Sequence, residues 1–166
     1  MPVRPDDELP RVRQNLRPGP ELLLDTFVYI DALQDRSPPE VDEITSLRLC
    51  NHSAVCLAEL THASGRLSPT HPGTPNALSR ISQLISGIPP HRLGEPSASV
   101  WGTAGILAGL TFRLGGYQKG QERKLLNDAL LYLQALEAGQ VVLTRNVADF
   151  DRLNQLMPEG RVLFYD

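Results

Sequence analysis

Four acidic residues stand where a sequence that builds only a core would not put them. Asp25 closes the run Leu22-Leu23-Leu24, and Glu59 interrupts the apolar positions Val55, Leu57 and Leu60. Asp128 falls inside the stripe Leu125, Leu126, Ala129, Leu130, Leu133 and Leu136. Asp149 follows Val141-Val142-Leu143-Thr144 at a distance of five residues, just before Phe150. Carboxylates drawn out of water resist ionisation and repel one another. A cluster of them at neutral pH needs positive charge, and oxygen ligands this hard suit Mg²⁺ or Mn²⁺ rather than Zn²⁺. Such an ion orients a water, lowers its pKa and steadies the charge on a phosphodiester under attack. Thr26, Thr144 and Asn146 are small polar groups at the same strand ends, suited to hydrogen-bonding the carboxylates or the attacking water. Each acid also has an ordinary alternative. Asp25 is well placed to cap a following helix, and a single carboxylate on a helix is commonly a solvent-facing charge.

The elements that must position these acids follow from the hydrophobic pattern. Leu22-Leu23-Leu24, between Pro20 and Asp25, reads as a short strand buried on both faces. Val141 to Thr144 is a second such strand, and Arg161 to Tyr165 a last one. Helices are expected over 27–33, from Pro39 through Leu47, over about 54–63 with Asn51, His52 or Ser53 as N-cap, and over 78–85. Three more run from Ser97 or Ser99 to just before Gly115-Gly116, over 121–136, and over 147–156. A weak strand is expected at 91–93 and a loop over 64–76. The helix before Gly115 is rich in Gly and Ala, which implies a close helix crossing. It lacks the Lys-Ser/Thr signature of a phosphate loop. Trp101 is expected in the core, and Tyr132 in the core or a dimer interface. Strand–helix alternation with short connections gives a parallel, layered α/β fold. Ligands in such folds bind beyond the carboxyl ends of the strands, where Asp25 falls.

Residues 1–20 carry five prolines with charges between them. They are expected to form a surface tail or arm without a core element, leaving 21–166 as one domain. The formal charge of −3 argues against a broad basic surface for coating nucleic acid. A local basic rim is compatible with it. Arg113, Lys119, Arg123 and Lys124 precede Asp128, and Arg145 and Arg152 flank Asp149; they read equally as phosphate contacts or as solvated helix ends. Tyr117 and Tyr132 are candidates for stacking on a base or for plain packing. Cys50 and Cys56 have neither zinc-site spacing nor the number for a disulfide framework. Free thiols in a reducing, cytoplasmic setting are expected, as the chain starts without an apolar targeting segment. No run of 18 apolar residues exists, so no membrane span is expected. The four histidines form no metal-ligand pattern.

Leu23-Leu-Asp-Thr26, Leu57-Ala-Glu-Leu60, Asn127-Asp-Ala-Leu130 with 135–139, and Leu143-Thr-Arg-Asn-Val-Ala-Asp-Phe-Asp-Arg-Leu153 occur in this order. Together they resemble a PIN domain of the bacterial toxin type, the VapC-like ribonucleases, over residues 21–166. The run Thr-Arg-Asn-x-x-Asp-Phe after a hydrophobic strand is the most specific piece. The resemblance implies a three-layer α/β/α sandwich around a short, mainly parallel sheet. It puts the acidic, metal-binding constellation on Asp25, Glu59, Asp128 and Asp149, with Thr144 and Asn146 as helpers. The implied activity is Mg²⁺- or Mn²⁺-dependent endonucleolytic hydrolysis of RNA by an activated water. The implied partners are a second copy in a homodimer and a small antitoxin protein.

Three features depart from the pattern. Glu59 and Asp128 stand 69 residues apart, with the surplus over 64–90. Ala129-Leu-Leu-Tyr132 is bulkier than the small aliphatics usual after the third acid, and is expected to narrow or reshape the pocket. The arm at 1–20 is additional. A non-catalytic binding module of the same fold is the main alternative. A phosphotransfer enzyme is disfavoured, since haloacid-dehalogenase-like phosphatases need a second Asp where Phe27 stands, and a receiver domain needs an acid pair and a placed Lys.

Overall fold

Three leucines in a row have no polar face to offer water, and the chain buries them as the central strand of a sheet. In the computed structural model, which describes residues 1–166, this strand is β1 (Leu22–Leu24). The others are β2 (Cys50–Ser53), β3 (Leu93–Gly94), β4 (Val141–Thr144) and β5 (Val162–Phe164). All pairings are parallel and the order is β3-β2-β1-β4-β5. Seven helices cover the sheet: α1 (Thr26–Leu33), α2 (Pro39–Leu47), α3 (Ala54–Gly65), α4 (Thr74–Ser86), α5 (Ala98–Gly115), α6 (Glu122–Glu137) and α7 (Val147–Leu156). The result is a three-layer α/β/α sandwich.

The strand order fixes where a site can form. From β1 the chain builds outward through β2 and β3, then returns to add β4 and β5 on the other side. The switch falls between β1 and β4, the usual crevice for a ligand in an open parallel sheet. The register pairs Leu24 with Leu143, so Asp25 and Thr144 leave the sheet side by side. The Asp25 amide still donates to the Leu143 carbonyl at 3.1 Å. Helix α6 lies against this end and is buried without a break from Asp128 to Ala135.

The strands at 22–24, 141–144 and 162–164 and all seven helices fall where the apolar pattern puts them, within a few residues. Strand β2 does not announce itself. Cys50-Asn-His-Ser53 has no apolar run, and it is a strand because β1 and β3 pair with it on both sides. Its polar groups are satisfied locally. Asn51 donates to the Leu22 carbonyl at 3.3 Å and to Glu21 at 2.8 Å, and the Ser53 hydroxyl donates to Gln134 at 2.6 Å. Ser53 then accepts from the Val55 amide at 3.1 Å, as the N-cap of α3.

Two expectations are corrected. Trp101 is not in the core: it is 52% exposed, on the outer side of α5 with Ile106. Val100, Ala104, Leu107, Ala108 and Thr111 are the buried residues of that helix, and they take its inner face. Gly102, Gly105 and Gly109 face open space, so they are not what makes the helix crossing close. The 1–20 arm does reach the core. Leu9 is 3% exposed and Val12 is fully buried. The arm lies along β5, with an Arg11–Phe164 bridge and the Phe164 amide donating to the Pro10 carbonyl at 2.9 Å, and so covers what would be an open sheet edge. Arg4 fastens it further through Asp151 at 2.6 Å. Two apolar residues three positions apart among prolines and charges form no periodic signal, which is why the sequence hides this anchor.

Leu9→Ala is therefore expected to cost about 2–5 kcal/mol of unfolding free energy in urea denaturation, as for other buried leucines. A change below about 0.5 kcal/mol would mean that the arm is only draped on the surface.

Candidate active site

Asp25 takes the N-cap position of α1, but its carboxylate makes no capping hydrogen bond. It accepts instead from the Thr144 hydroxyl at 2.6 Å. Thr144 is itself fully buried and accepts from the Asn146 amide at 2.9 Å. The turn after β4 is thus locked to the turn after β1. The Asn146 side chain extends the lock, donating to Asp149 at 2.9 Å and to Asp128 at 3.2 Å. On the opposite wall, half-buried Glu59 accepts from Thr26 and, at 2.8 Å, from Asn127.

Asp25, Glu59 and Asp128 line one cavity of about 420 Å³ with Thr26, Phe27, Arg123, Lys124 and Asn127. Asp149 lines a neighbouring cavity of about 360 Å³ with Tyr117, Asn146 and Arg152, and Lys124 belongs to both. The Lys124 ammonium hydrogen-bonds to Asp149 and stands 3.8 Å from Asp128, one helical turn along α6. No other Lys or Arg forms an ion pair with any of the four acids.

The electrostatics follow from this distribution. Burial pushes the Asp25 carboxyl up to about 6; the Thr144 hydrogen bond opposes the rise and the Glu59 charge adds to it. Burial also raises Asp128 well above the ordinary range, helped by repulsion from Asp25 and Asp149 and countered by Lys124. Asp149 is shifted the other way. Burial would raise it, but hydrogen bonds from Lys124, Tyr117 and Asn146 outweigh burial and hold it low. Burial lowers Lys124, and attraction to Asp128, then to Asp149, more than restores its charge.

The fold thus gathers three of the four acids around one space and sets the fourth across Lys124. As they stand, no three His, Cys, Asp or Glu side chains converge as a group that could hold a metal ion. The donor chemistry nonetheless fits a hard divalent cation. Four carboxylates face one paired ammonium, and two of them are raised by burial, with repulsion from neighbouring acids adding to it.

Some roles escaped the sequence. The Tyr117 hydroxyl donates to Asp149 at 2.5 Å and accepts from Arg152 at 3.1 Å, and its ring stacks with Phe112. Only the flanking glycines hint at a shaped turn, Gly116 at φ 73° and Gly120 at φ 100°. The Lys124–Asp128 spacing of four on a helix was a readable signal. Leu131 and Tyr132 do not line the cavity. Tyr132 is buried in the core and donates to the Met157 carbonyl at 2.5 Å, so the bulk after Asp128 does not narrow the site. Arg145 pairs with Asp31 at 2.9 Å and lies over the Phe27 ring, 4.4 Å from its centroid.

No family model and no curated protein matches the chain. Solved structures do match. They include VapBC2 from Rickettsia felis bound to a DNA fragment from their promoter, with a TM-score of 0.61 and 16% identity, covering 87% of this chain and 98% of that one. DNA-bound VapBC from Salmonella typhimurium matches with a TM-score of 0.61 and 19% identity, over 87% and 97% of the two chains. FitAcB from Neisseria gonorrhoeae matches with a TM-score of 0.61 and 20% identity, over 87% and 96%. At such identities the likeness is one of fold. The chain has the PIN-like α/β/α sandwich fold, as the VapC-like resemblance implied.

The raised Asp25 carboxyl has a consequence for stability. A carboxyl whose pKa is higher folded than unfolded makes the folded state bind more protons, so its contribution weakens as pH rises from about 4 through 6. In chelator, the wild type is expected to lose more thermal stability between pH 4.5 and 7.5 than Asp25→Asn does. Parallel melting-temperature profiles for the two would contradict the shift.

Proposed function

We propose that this chain is a divalent-metal-dependent endoribonuclease and acts as the toxin of a toxin–antitoxin pair. The observation that carries the reading is the set of three carboxylates, Asp25, Glu59 and Asp128, around one cavity at the β1–β4 switch. Mg²⁺ or Mn²⁺ is assigned to these carboxylates, with Asp149 completing the acidic set from beyond Lys124. Bound there, the ion would supply Lewis acidity, a lowered water pKa and charge stabilisation on a phosphodiester.

The chain's own residues have separable tasks. Thr144 holds Asp25 by one carboxylate oxygen and leaves Oδ1 without a side-chain donor, available to take a proton from water. Asn146 keeps Asp128 and Asp149 in register, and Thr26 and Asn127 orient Glu59. Arg123 and Lys124 line the cavity, and Arg145 stacks on Phe27 in its wall. These are the groups proposed to meet RNA phosphates.

The matched structures bear the paired names VapBC, FitAcB and FitAB, which supports an antitoxin partner here, and a homodimer is proposed from the VapC-like resemblance. An apolar groove of about 410 Å³ between α1, α3 and α4, lined by Ile30, Leu33, Leu60 and Ile81, adjoins the site through Ile30. It is proposed as the seat of an antitoxin segment. Exposed Leu47 and Leu49 offer further apolar surface. No helix is long and apolar enough to cross a membrane, and a cytoplasmic setting is proposed. A non-catalytic binding module remains the second reading, favoured by the lack of a ready-made metal cage.

Purified chain with Mg²⁺ or Mn²⁺ is expected to cut single-stranded RNA and to lose activity in chelator. Asp25→Asn and Asp128→Asn should each lower cleavage about 100-fold or more, the scale of several kcal/mol of transition-state stabilisation. Cleavage by both variants at the wild-type rate would refute the assignment.

A further inference from the structure

Every Phe and Tyr of the chain is buried or half-buried, and the single tryptophan, Trp101, is exposed. An indole in water forgoes a large burial gain, and Trp is enriched where a ligand or partner supplies the missing contact. No aromatic ring or cation packs on Trp101. Gly102 and Gly105, beside it and one turn along α5, face open space. The indole lines a cavity of about 300 Å³ between α3, α5 and α6, where Ala58 and Leu130 add apolar surface. Glu59, Arg123 and Asn127 belong both to this cavity and to the acidic one. A ligand that fills the acidic cavity and continues along the surface therefore enters the space beside Trp101. The lining suits an uncharged ring better than a phosphate, because the carboxylates of Glu59 and Glu95 stand in its wall. Arg123, at the junction of the two cavities, pairs with no carboxylate of the chain.

We propose that Trp101 is the stacking platform of a nucleotide subsite. The indole receives the unpaired base next to the scissile phosphate, and Arg123 holds the phosphate that links the two nucleotides. The inference rests on the ribonuclease reading given above. It goes beyond that reading by naming where the substrate's neighbouring base is held. It does not depend on how the carboxylates arrange a metal ion, since stacking and phosphate contact need none. Stacking tolerates any base but requires a face free of pairing, so the subsite grips single strands rather than reading a sequence.

The test uses the intact chain in chelator, so that RNA is bound and not cut. With one tryptophan in the chain, indole emission reports Trp101 alone. Titration with a single-stranded oligoribonucleotide of mixed sequence should quench that emission. Inorganic polyphosphate, which carries charge without bases, should leave it unchanged. Binding of the same oligoribonucleotide, fluorophore-labelled and followed by anisotropy, should weaken about 5- to 150-fold in Trp101→Ala. Trp101→Phe, which keeps an aromatic face, should stay near the wild type. Bound RNA that leaves the wild-type emission unchanged would overturn the proposal with no variant needed. So would polyphosphate that quenches as strongly as RNA, or Trp101→Ala binding RNA as tightly as the wild type. A wild type that binds no RNA by anisotropy would instead overturn the ribonuclease reading, and the subsite with it. The two failures are distinct, because anisotropy reports binding whatever the indole does.

Discussion

The whole molecule is organised around negative charge that is buried and only partly neutralised. Asp25 and Asp128 are withdrawn from water at the carboxyl end of a parallel sheet, and neither can leave. Asp25 is fixed by three buried leucines before it and by the Thr144 hydroxyl beside it. Asp128 opens the fully buried part of α6. Each keeps a carboxyl where burial disfavours its charge. The raised carboxyls are the physical signature of that conflict, and conflicts of this sort mark sites rather than scaffolding.

The scaffold handles the conflict by dividing the acids. Glu59 is eased by two neutral donors, Thr26 and Asn127, and stays half exposed. Asp149 sits in the first turn of α7, where the helix end favours negative charge, and collects Lys124, Tyr117 and Asn146. Its compensation is complete. Asp25 receives the Thr144 hydroxyl and the attraction of the Thr26 and Phe27 amides, and Asp128 receives Asn146 and a share of the ammonium. The carboxyls raised by burial are these two, and both line the cavity of about 420 Å³.

The apolar framework was legible in the sequence because burial writes itself as runs and stripes: Leu22–Leu24, Val141–Thr144 and the α6 face are unambiguous. The acids were legible for the same reason, as breaks in those patterns. Their convergence was not, since sequence spacing says nothing about which strand ends meet. That came from the ordered resemblance to PIN domains, and the β3-β2-β1-β4-β5 topology supplies its physical cause. What stayed hidden depends on tertiary partners. Cys50–Ser53 is a strand only because β1 and β3 lie beside it. Leu9 and Val12 are core residues only because the arm returns to β5. Tyr117 reaches Asp149 only through a turn shaped by Gly116 and Gly120. Trp101 is excluded because Val100, Ala104, Leu107, Ala108 and Thr111 occupy the inner face of a helix with apolar residues on more than one side.

A ligand that relieves buried repulsion must stabilise the folded state, so the most direct measurement is thermal unfolding of the wild-type chain at neutral pH across a Mn²⁺ titration. The melting temperature should climb steadily with the logarithm of Mn²⁺ concentration, reaching about 2.7 kcal/mol of added stability at a hundredfold excess over Kd. A melting temperature that stays flat from chelator to millimolar Mn²⁺ would contradict the view that these carboxylates are held in wait for a cation.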